Sequence, residues 1–273
     1  MPTQHEKGAR FRALHDSTFI IPNPWDIGSA RILAGLGFQA LATSSAASAC
    51  AIGKRDGGLT REEALAHARM IVNATSLPVS ADLENGFGDA PEAVAQTVRL
   101  AAEAGLAGCT IEDTTGNPER PLYERQLAIE RIAAGAEAAR KLGAPFMLTA
   151  RTHNLMFSNP SLDETIRSLQ SFEKAGADVL FAPGLPDIEA VRAVCSALSK
   201  PFNFMAGIPG KSFPVAELKA AGVKRISLAT SLYRAAMTGF LDAVNEIQTS
   251  GQFEFLNHAV STADLIRVQD CAR

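Results

Sequence analysis

Between Thr18 and Leu228 the chain alternates short apolar runs with longer segments of helical period. Eight runs read as strands: Thr18–Pro22, Ala40–Ser44, Pro78–Asp82, Gly108–Glu112, Pro145–Ala150, Asp178–Ala182, Pro201–Met205 and Arg225–Leu228. Between them, segments such as Arg61–Ala74, Pro91–Ala104, Tyr123–Leu142 and Ser161–Ala175 place apolar residues three and four apart, the spacing of one helix face. Gly37, Gly105, Gly143, Gly176 and Gly222 stand where helices should stop, because glycine tolerates the left-handed conformation of a helix C-terminus. Thr60 with Glu63 and Ser161 with Glu164 have the spacing of capping boxes. Strand-then-helix units repeated in this way predict a closed parallel (β/α)8 TIM barrel, with residues 1–273 as a single domain. The segment after Gly251, QFEFLNHAVSTADLIRVQD, reads as one more helix with no strand of its own. Its Phe253, Phe255, Leu256 and Leu265 are expected to pack on a neighbouring subunit.

Composition narrows the classes. With 47% apolar residues a large core can be buried, which excludes a disordered chain. A net charge of −3 and scattered basic residues give no electrostatic basis for nucleic acid or an acidic membrane surface. Cys50, Cys109, Cys195 and Cys271 form no CxxC pair, so reduced thiols are expected rather than disulfides or a zinc site. The first residues, MPTQHEKGARFRALHD, lack a long apolar run, and a cytoplasmic location is expected.

Barrel chemistry is carried at the C-terminal ends of the strands, and the unusual polar residues fall there. The second strand ends in Thr43-Ser44-Ser45 and the third in Asp82-Leu83-Glu84-Asn85-Gly86. The fourth ends in Glu112-Asp113-Thr114 and the fifth in Arg151-Thr152-His153-Asn154. Asp56 lies in the loop after the second strand. Asp82 and Glu84, two apart on a strand, share a face, and Glu112 on the next strand adds a third carboxylate. An oxygen-only cluster without His or Cys selects a hard cation, Mg2+ first and Mn2+ as a substitute. Arg151 is expected across the mouth, its planar fork suited either to a substrate carboxylate or to an ion pair with Glu112 or Asp82. Thr43, Ser44 and Ser45 offer amides and hydroxyls to an anion, and Asn203 is a further candidate for substrate binding. His153 is a candidate proton donor or metal ligand.

Taken in order, NPWDIGSARILAGLGFQALATSS, RDGGLTREE, SADLENGFGD, TIED, LTARTHN, GADVLFAPG and RISLATSLYRAA resemble the isocitrate lyase/phosphoenolpyruvate mutase superfamily from roughly Ile20 to Ala236. The resemblance implies a Mg2+-containing barrel, a dimer or dimer of dimers whose C-terminal helices swap between subunits. It also implies Asp82 as the principal metal ligand, with Asp56, Glu84 and Glu112 helping to hold the ion, often through water. Arg151 then binds substrate, and Ser44 and Ser45 lie in the loop that takes a substrate carboxylate. The chain departs from the pattern after the fourth strand. Isocitrate and methylisocitrate lyases carry Lys-Lys-Cys-Gly-His there, whereas this chain reads TTGNPERPLYERQ, and the mutase gating loop is not recognisable either. Glu84 stands for the more usual Asp, and His153 for an acid. The expected function is a Mg2+-dependent lyase that breaks a C–C bond at C3 of a small 2-oxo carboxylic acid, oxaloacetate-like decarboxylation being the simplest form. The alternatives are C–P cleavage or phosphoryl transfer on a phosphonopyruvate-like acid, and a non-catalytic 2-oxo acid binding protein.

Overall fold

The computed structural model describes residues 2–157 and 160–271. Its elements run in the order α1 (Gln4–Leu14), β1 (Phe19–Ile21), α2 (Ile27–Gly35), β2 (Leu41–Ala42), α3 (Ser45–Ala51), α4 (Arg61–Ala74), β3 (Val79–Asp82), α5 (Pro91–Glu103), β4 (Gly108–Glu112), α6 (Arg125–Arg140), β5 (Met147–Arg151), α7 (Leu162–Ala175), β6 (Val179–Phe181), α8 (Ile188–Ser196), β7 (Phe202–Met205), α9 (Val215–Ala220), β8 (Arg225–Ser227), α10 (Ser231–Ser250) and α11 (Thr262–Asp270). All neighbouring strands pair in parallel, in the order β1-β8-β7-β6-β5-β4-β3-β2. The Ala42 amide donates to the Pro22 carbonyl at 3.0 Å, which draws β2 to the end of β1 and brings the sheet around into a barrel. Each expected strand is found within its predicted span except the fifth, which runs one residue further, through Arg151. That extension pairs Arg151 with Glu112 across β4 and β5.

Local signals account for the helix ends. Thr60 and Glu63 form the reciprocal capping box expected of them, while Ser161 accepts from the Glu164 amide. Gly176 closes α7 at φ 107°, a backbone angle costly for any residue with a Cβ. The core lies between the strands and their outer helices and includes Leu83, Val94, Ile111, Leu148 and Phe172. Gly135 on α6 has no side chain, so Val94 and Leu148 pack directly against the helix backbone. Helix α1 closes the bottom of the barrel. Phe11 is buried there, meets His15 and Phe19 edge-on, and lies among Ile21, Met147 and Val179. Burying that one ring stabilises the fold by roughly 1.5–3 kcal/mol.

The C-terminal segment differs from the single helix expected. A short 3-10 turn at Glu254–Asn257 precedes α11, and α11 packs on α2 of the same chain. Helix α10 is left largely uncovered: none of its residues is buried, and Phe240 and Leu241 are about 60% exposed, although Tyr233 near its start meets Trp25 edge-on. Among the described residues no helix is long and apolar enough to cross a membrane.

Candidate functional site at the C-terminal mouth of the barrel

Asp82 ends β3, Glu112 ends β4 and Arg151 ends β5, so parallel pairing in register brings all three side chains to one mouth. Arg151 lies among the acids rather than opposite them. Its Nη1 stands 3.3 Å from Glu112 Oε2 and 3.7 Å from Asp82 Oδ2, and its guanidinium lies over the Phe181 ring. Of the two roles considered for Arg151, the ion pair is present, and its Nε is buried with no hydrogen-bond partner. His153 Nε2 lies 3.0 Å from the second carboxylate of the pair, Glu112.

The β3 carboxylate is held from the β2 side. The Ser45 hydroxyl donates to Asp82 Oδ2 at 3.2 Å, while Thr43 Oγ1 accepts from the Asp82 amide. Ser44 caps α3 by accepting from the Ala47 amide. The hydroxyls of Thr43, Ser44 and Ser45, expected to face an anion, are thus engaged in placing Asp82 and α3. Glu84 departs from strand geometry: its φ of 49° is left-handed, a conformation unfavourable for a non-glycine residue and concentrated at functional sites. The turn is held by the Glu84 amide donating to Asp82 Oδ1 and by the Glu84 carbonyl accepting from the Glu112 amide.

The three carboxylates do not share one electrostatic state. Burial, with Arg151 opposing it, leaves the Asp82 pKa raised. Burial and the charges of Asp82, Asp56 and Glu112 push Glu84 up to about 8. Burial would raise Glu112 too, but Arg151, His153 and the Thr114 hydroxyl outweigh it and hold the group at about 2. Asp56 is exposed on the adjoining loop and borders, with Glu84, Glu112, Arg151 and His153, a cleft of about 380 Å³. A second, narrower cavity of about 50 Å³ runs into the barrel beneath Thr43, Ser44, Asp82 and Arg151.

Direct caging of a metal by Asp82, Glu84 and Glu112 is not what the structure presents. Among the described residues, no three His, Cys, Asp or Glu side chains converge closely enough to hold an ion, because Arg151 bridges Asp82 and Glu112. The donor set nonetheless suits a hydrated hard cation. Glu84 Oε1 is buried without a hydrogen bond, Asp82 and Glu112 flank Arg151 while Glu84 and Asp56 line the same cleft, and Mg2+ commonly takes one or two carboxylates and keeps several waters.

Several residues that sequence reasoning passed over belong to the same region. Asp113 is buried and accepts from Thr152 Oγ1 at 2.6 Å and from the His153 amide at 2.9 Å, tying the ends of β4 and β5 together. Arg131 on α6, also buried, donates to the carbonyls of Asn85, Gly88 and Asp89, clamping the loop that carries Glu84. Asn23 on the β1 side donates to the Thr43 carbonyl and accepts from the Leu228 amide. Asn203, by contrast, was a sequence candidate for substrate binding; it is fully buried, and its Oδ1 accepts from Arg225 Nε. Asp113 follows the predicted strand end by one residue and was within reach of sequence reasoning. Arg131 was not, since an Arg in a helix reads as solvated surface.

Residues 11–248 match the family model for phosphoenolpyruvate phosphomutase. Among curated proteins, the 2-methylisocitrate lyase of Escherichia coli K12 is 28% identical, with 90% of this chain and 86% of the relative covered. The oxaloacetate decarboxylase of Ectopseudomonas mendocina is 29% identical over 89% of this chain and 85% of its own. A solved structure from Burkholderia cenocepacia J2315, described only in general terms as a lyase/mutase, is 49% identical. It superposes with a TM-score of 0.94 over 97% of this chain and 95% of that one.

Proposed function

The chain belongs to the phosphoenolpyruvate phosphomutase family, within the isocitrate lyase/phosphoenolpyruvate mutase superfamily, and on that premise we propose that it is a Mg2+-dependent lyase cleaving a C–C bond at C3 of a small 2-oxo carboxylic acid. Oxaloacetate-like decarboxylation is the favoured form. The observation that carries this reading is the buried, unpartnered Glu84 Oε1 beside Asp82 and Glu112, with Arg151 set between the last two. Asp82, Glu84 and Glu112 would hold the cation, partly through water, with Asp56 adding charge from the loop. When bound, Mg2+, or Mn2+ in its place, supplies positive charge where the carbonyl oxygen gains electron density.

The chain's own residues then have separable tasks. Arg151 orients a substrate carboxylate with its planar fork. Ser45 and Thr43 fix the Asp82 carboxylate, and Asp113 fixes the turn that carries His153. Leu59 and Phe87 in the cleft, and Phe181 in the narrow cavity, keep both partly apolar, which strengthens every charge interaction within them. In decarboxylation the electron pair of the breaking C3–C4 bond passes into the C2–C3 bond and onto the carbonyl oxygen. Carbon dioxide leaves, and C3 later takes a proton. Bond breaking requires no acid, which suits a chain with TTGNPERPLYERQ in place of the Lys-Lys-Cys-Gly-His loop. The E. mendocina relative is named for this reaction. The phosphomutase family match favours C–P chemistry as the second reading.

A panel of 2-oxo acids and phosphono acids, assayed with and without Mg2+, tests the proposal. Carbon dioxide and a shortened 2-oxo acid, formed only with the metal, are expected. Phosphate or a phosphoryl isomer would establish the second reading, and tight binding without any product would make the chain a binding protein.

A further inference from the structure

Arg225 stands at the first position of β8 and points inward, only 3% exposed, yet no carboxylate answers its charge among the described residues. Nε donates to Asn203 Oδ1 at 2.8 Å and Nη2 to Thr149 Oγ1 at 3.0 Å, both neutral acceptors. Nη1 is buried with no partner at all. Burial pulls the guanidinium pKa down to about 9, and no acidic neighbour pulls it back. The titratable group beneath it, His15 on α1, provides no counter-charge: burial and the Arg225 charge hold its pKa near 3, so the ring is neutral. A buried cation without a counter-ion is among the costlier arrangements in a protein interior, and strain of that kind is characteristic of sites that await a ligand.

The guanidinium lines the narrow cavity whose upper end is Asp82 and Arg151, and whose walls carry Ser80, Thr110 and Ser227. At about 50 Å³ this cavity admits one carboxylate-sized group, on the order of two water volumes. We propose that Arg225 is the specificity-determining residue of a buried anion subsite that takes the second carboxylate of a dianionic 2-oxo acid, while the mouth takes the 2-oxo carboxylate end. Asn203 and Thr149 act as positioning residues that fix the fork, and Nη1 is the donor left without a partner. This rests on the 2-oxo acid reading of the mouth and adds which end of the ligand is read, and by what.

Oxaloacetate and 2-oxobutyrate share a chain and differ in a distal carboxylate against a methyl group, so they probe the subsite directly. Their apparent affinities are to be measured with Mg2+, by competition or initial rates, on the wild type, Arg225→Met and Arg225→Lys. The wild type should prefer oxaloacetate by about tenfold or more, the strength of one charge-assisted hydrogen bond in a buried setting. Arg225→Met should lose that preference while keeping its affinity for 2-oxobutyrate, and Arg225→Lys should retain part of it. Melting separates this from a structural role. Replacing an unpaired buried charge by an apolar chain of similar length should leave Tm unchanged or raise it. An oxaloacetate preference that survives Arg225→Met, or a Tm that falls while the preference stays, overturns the subsite and leaves the mouth reading intact. Failure of the wild type to bind either acid overturns both.

Discussion

Arg151 is half-buried and Arg225 buried in one barrel, and they differ in what satisfies them. Arg151 shares its Nη1 between Asp82 and Glu112, so its charge is balanced before any ligand arrives, and the fork geometry is what a substrate would use. Arg151→Lys keeps the charge and loses the planar fork. If the fork grips a carboxylate present in both ground and transition states, KM should rise about tenfold, with a smaller fall in kcat, in steady-state kinetics on the acid identified by the panel. A fall confined to kcat would place Arg151 in the bond-breaking step instead. The sequence made Arg151, Asp82 and Glu112 legible because each ends an apolar run, where barrel residues face the mouth. Arg225 was not legible: in VKRIS it precedes the apolar run and reads as a solvated strand edge. Only the three-dimensional register with Phe19 and Asn203 turns it inward. The left-handed turn at Glu84 was equally hidden, because alternation along a strand placed Asp82 and Glu84 on one face, whereas the strand ends at Asp82.

At the level of elements, two helices outside the repeated strand-and-helix units pack on the barrel, α1 at its base and α11 on α2. Helix α1 plugs its base, and His15 there is 4% exposed. Its Nδ1 lies 2.9 Å from the Phe11 carbonyl. Its folded pKa near 3 lies below the ordinary value of 6.5. The folded state therefore takes up fewer protons than the unfolded chain between those limits. The stability His15 permits is fully present above pH 6.5 and is lost as pH falls towards 3, at up to about 1.4 kcal/mol per pH unit. His15→Phe should flatten the fall in denaturant-measured stability between pH 6.5 and 5; an unchanged slope would show that other groups govern it. Helix α11 docks on α2 through a close backbone approach, since a Cβ on Gly35 would stand 1.9 Å from the Val268 carbonyl oxygen. Alanine would favour the isolated helix by about 1 kcal/mol, but the clash is with backbone and cannot be relieved by a rotamer. Gly35→Ala should release α11, read as faster hydrogen exchange over residues 262–270, with the barrel strands unaffected. Protection equal to the wild type would mean that α11 is held elsewhere. Periodicity predicted a helix in this tail, but it contains no information about which surface receives it.

For the molecule as a whole, α10 sets the outstanding demand. Its 20 residues include none that is buried, and Phe240, Leu241 and Ile247 are exposed together with Phe253, Leu256 and Val260 beyond it. An apolar surface of this kind marks an association site, and sedimentation at micromolar concentration is expected to show a homo-oligomer. Phe240→Asp with Leu241→Asp should shift it towards monomer, whereas a wild-type monomer would remove the expectation. The barrel itself brings acids from two strand ends and two loops to a single mouth, and the central claim is that this mouth works through Mg2+. The most direct test is Mg2+-dependent turnover of the panel-identified 2-oxo acid by the wild type and Asp82→Ala, with Mg2+ affinity measured calorimetrically on the same samples. Loss of the anchor should weaken Mg2+ binding and lower kcat by about a thousandfold or more, because charge developing on the carbonyl oxygen would lose several kcal/mol of stabilisation. Near-normal Mg2+-dependent turnover in Asp82→Ala would contradict the account.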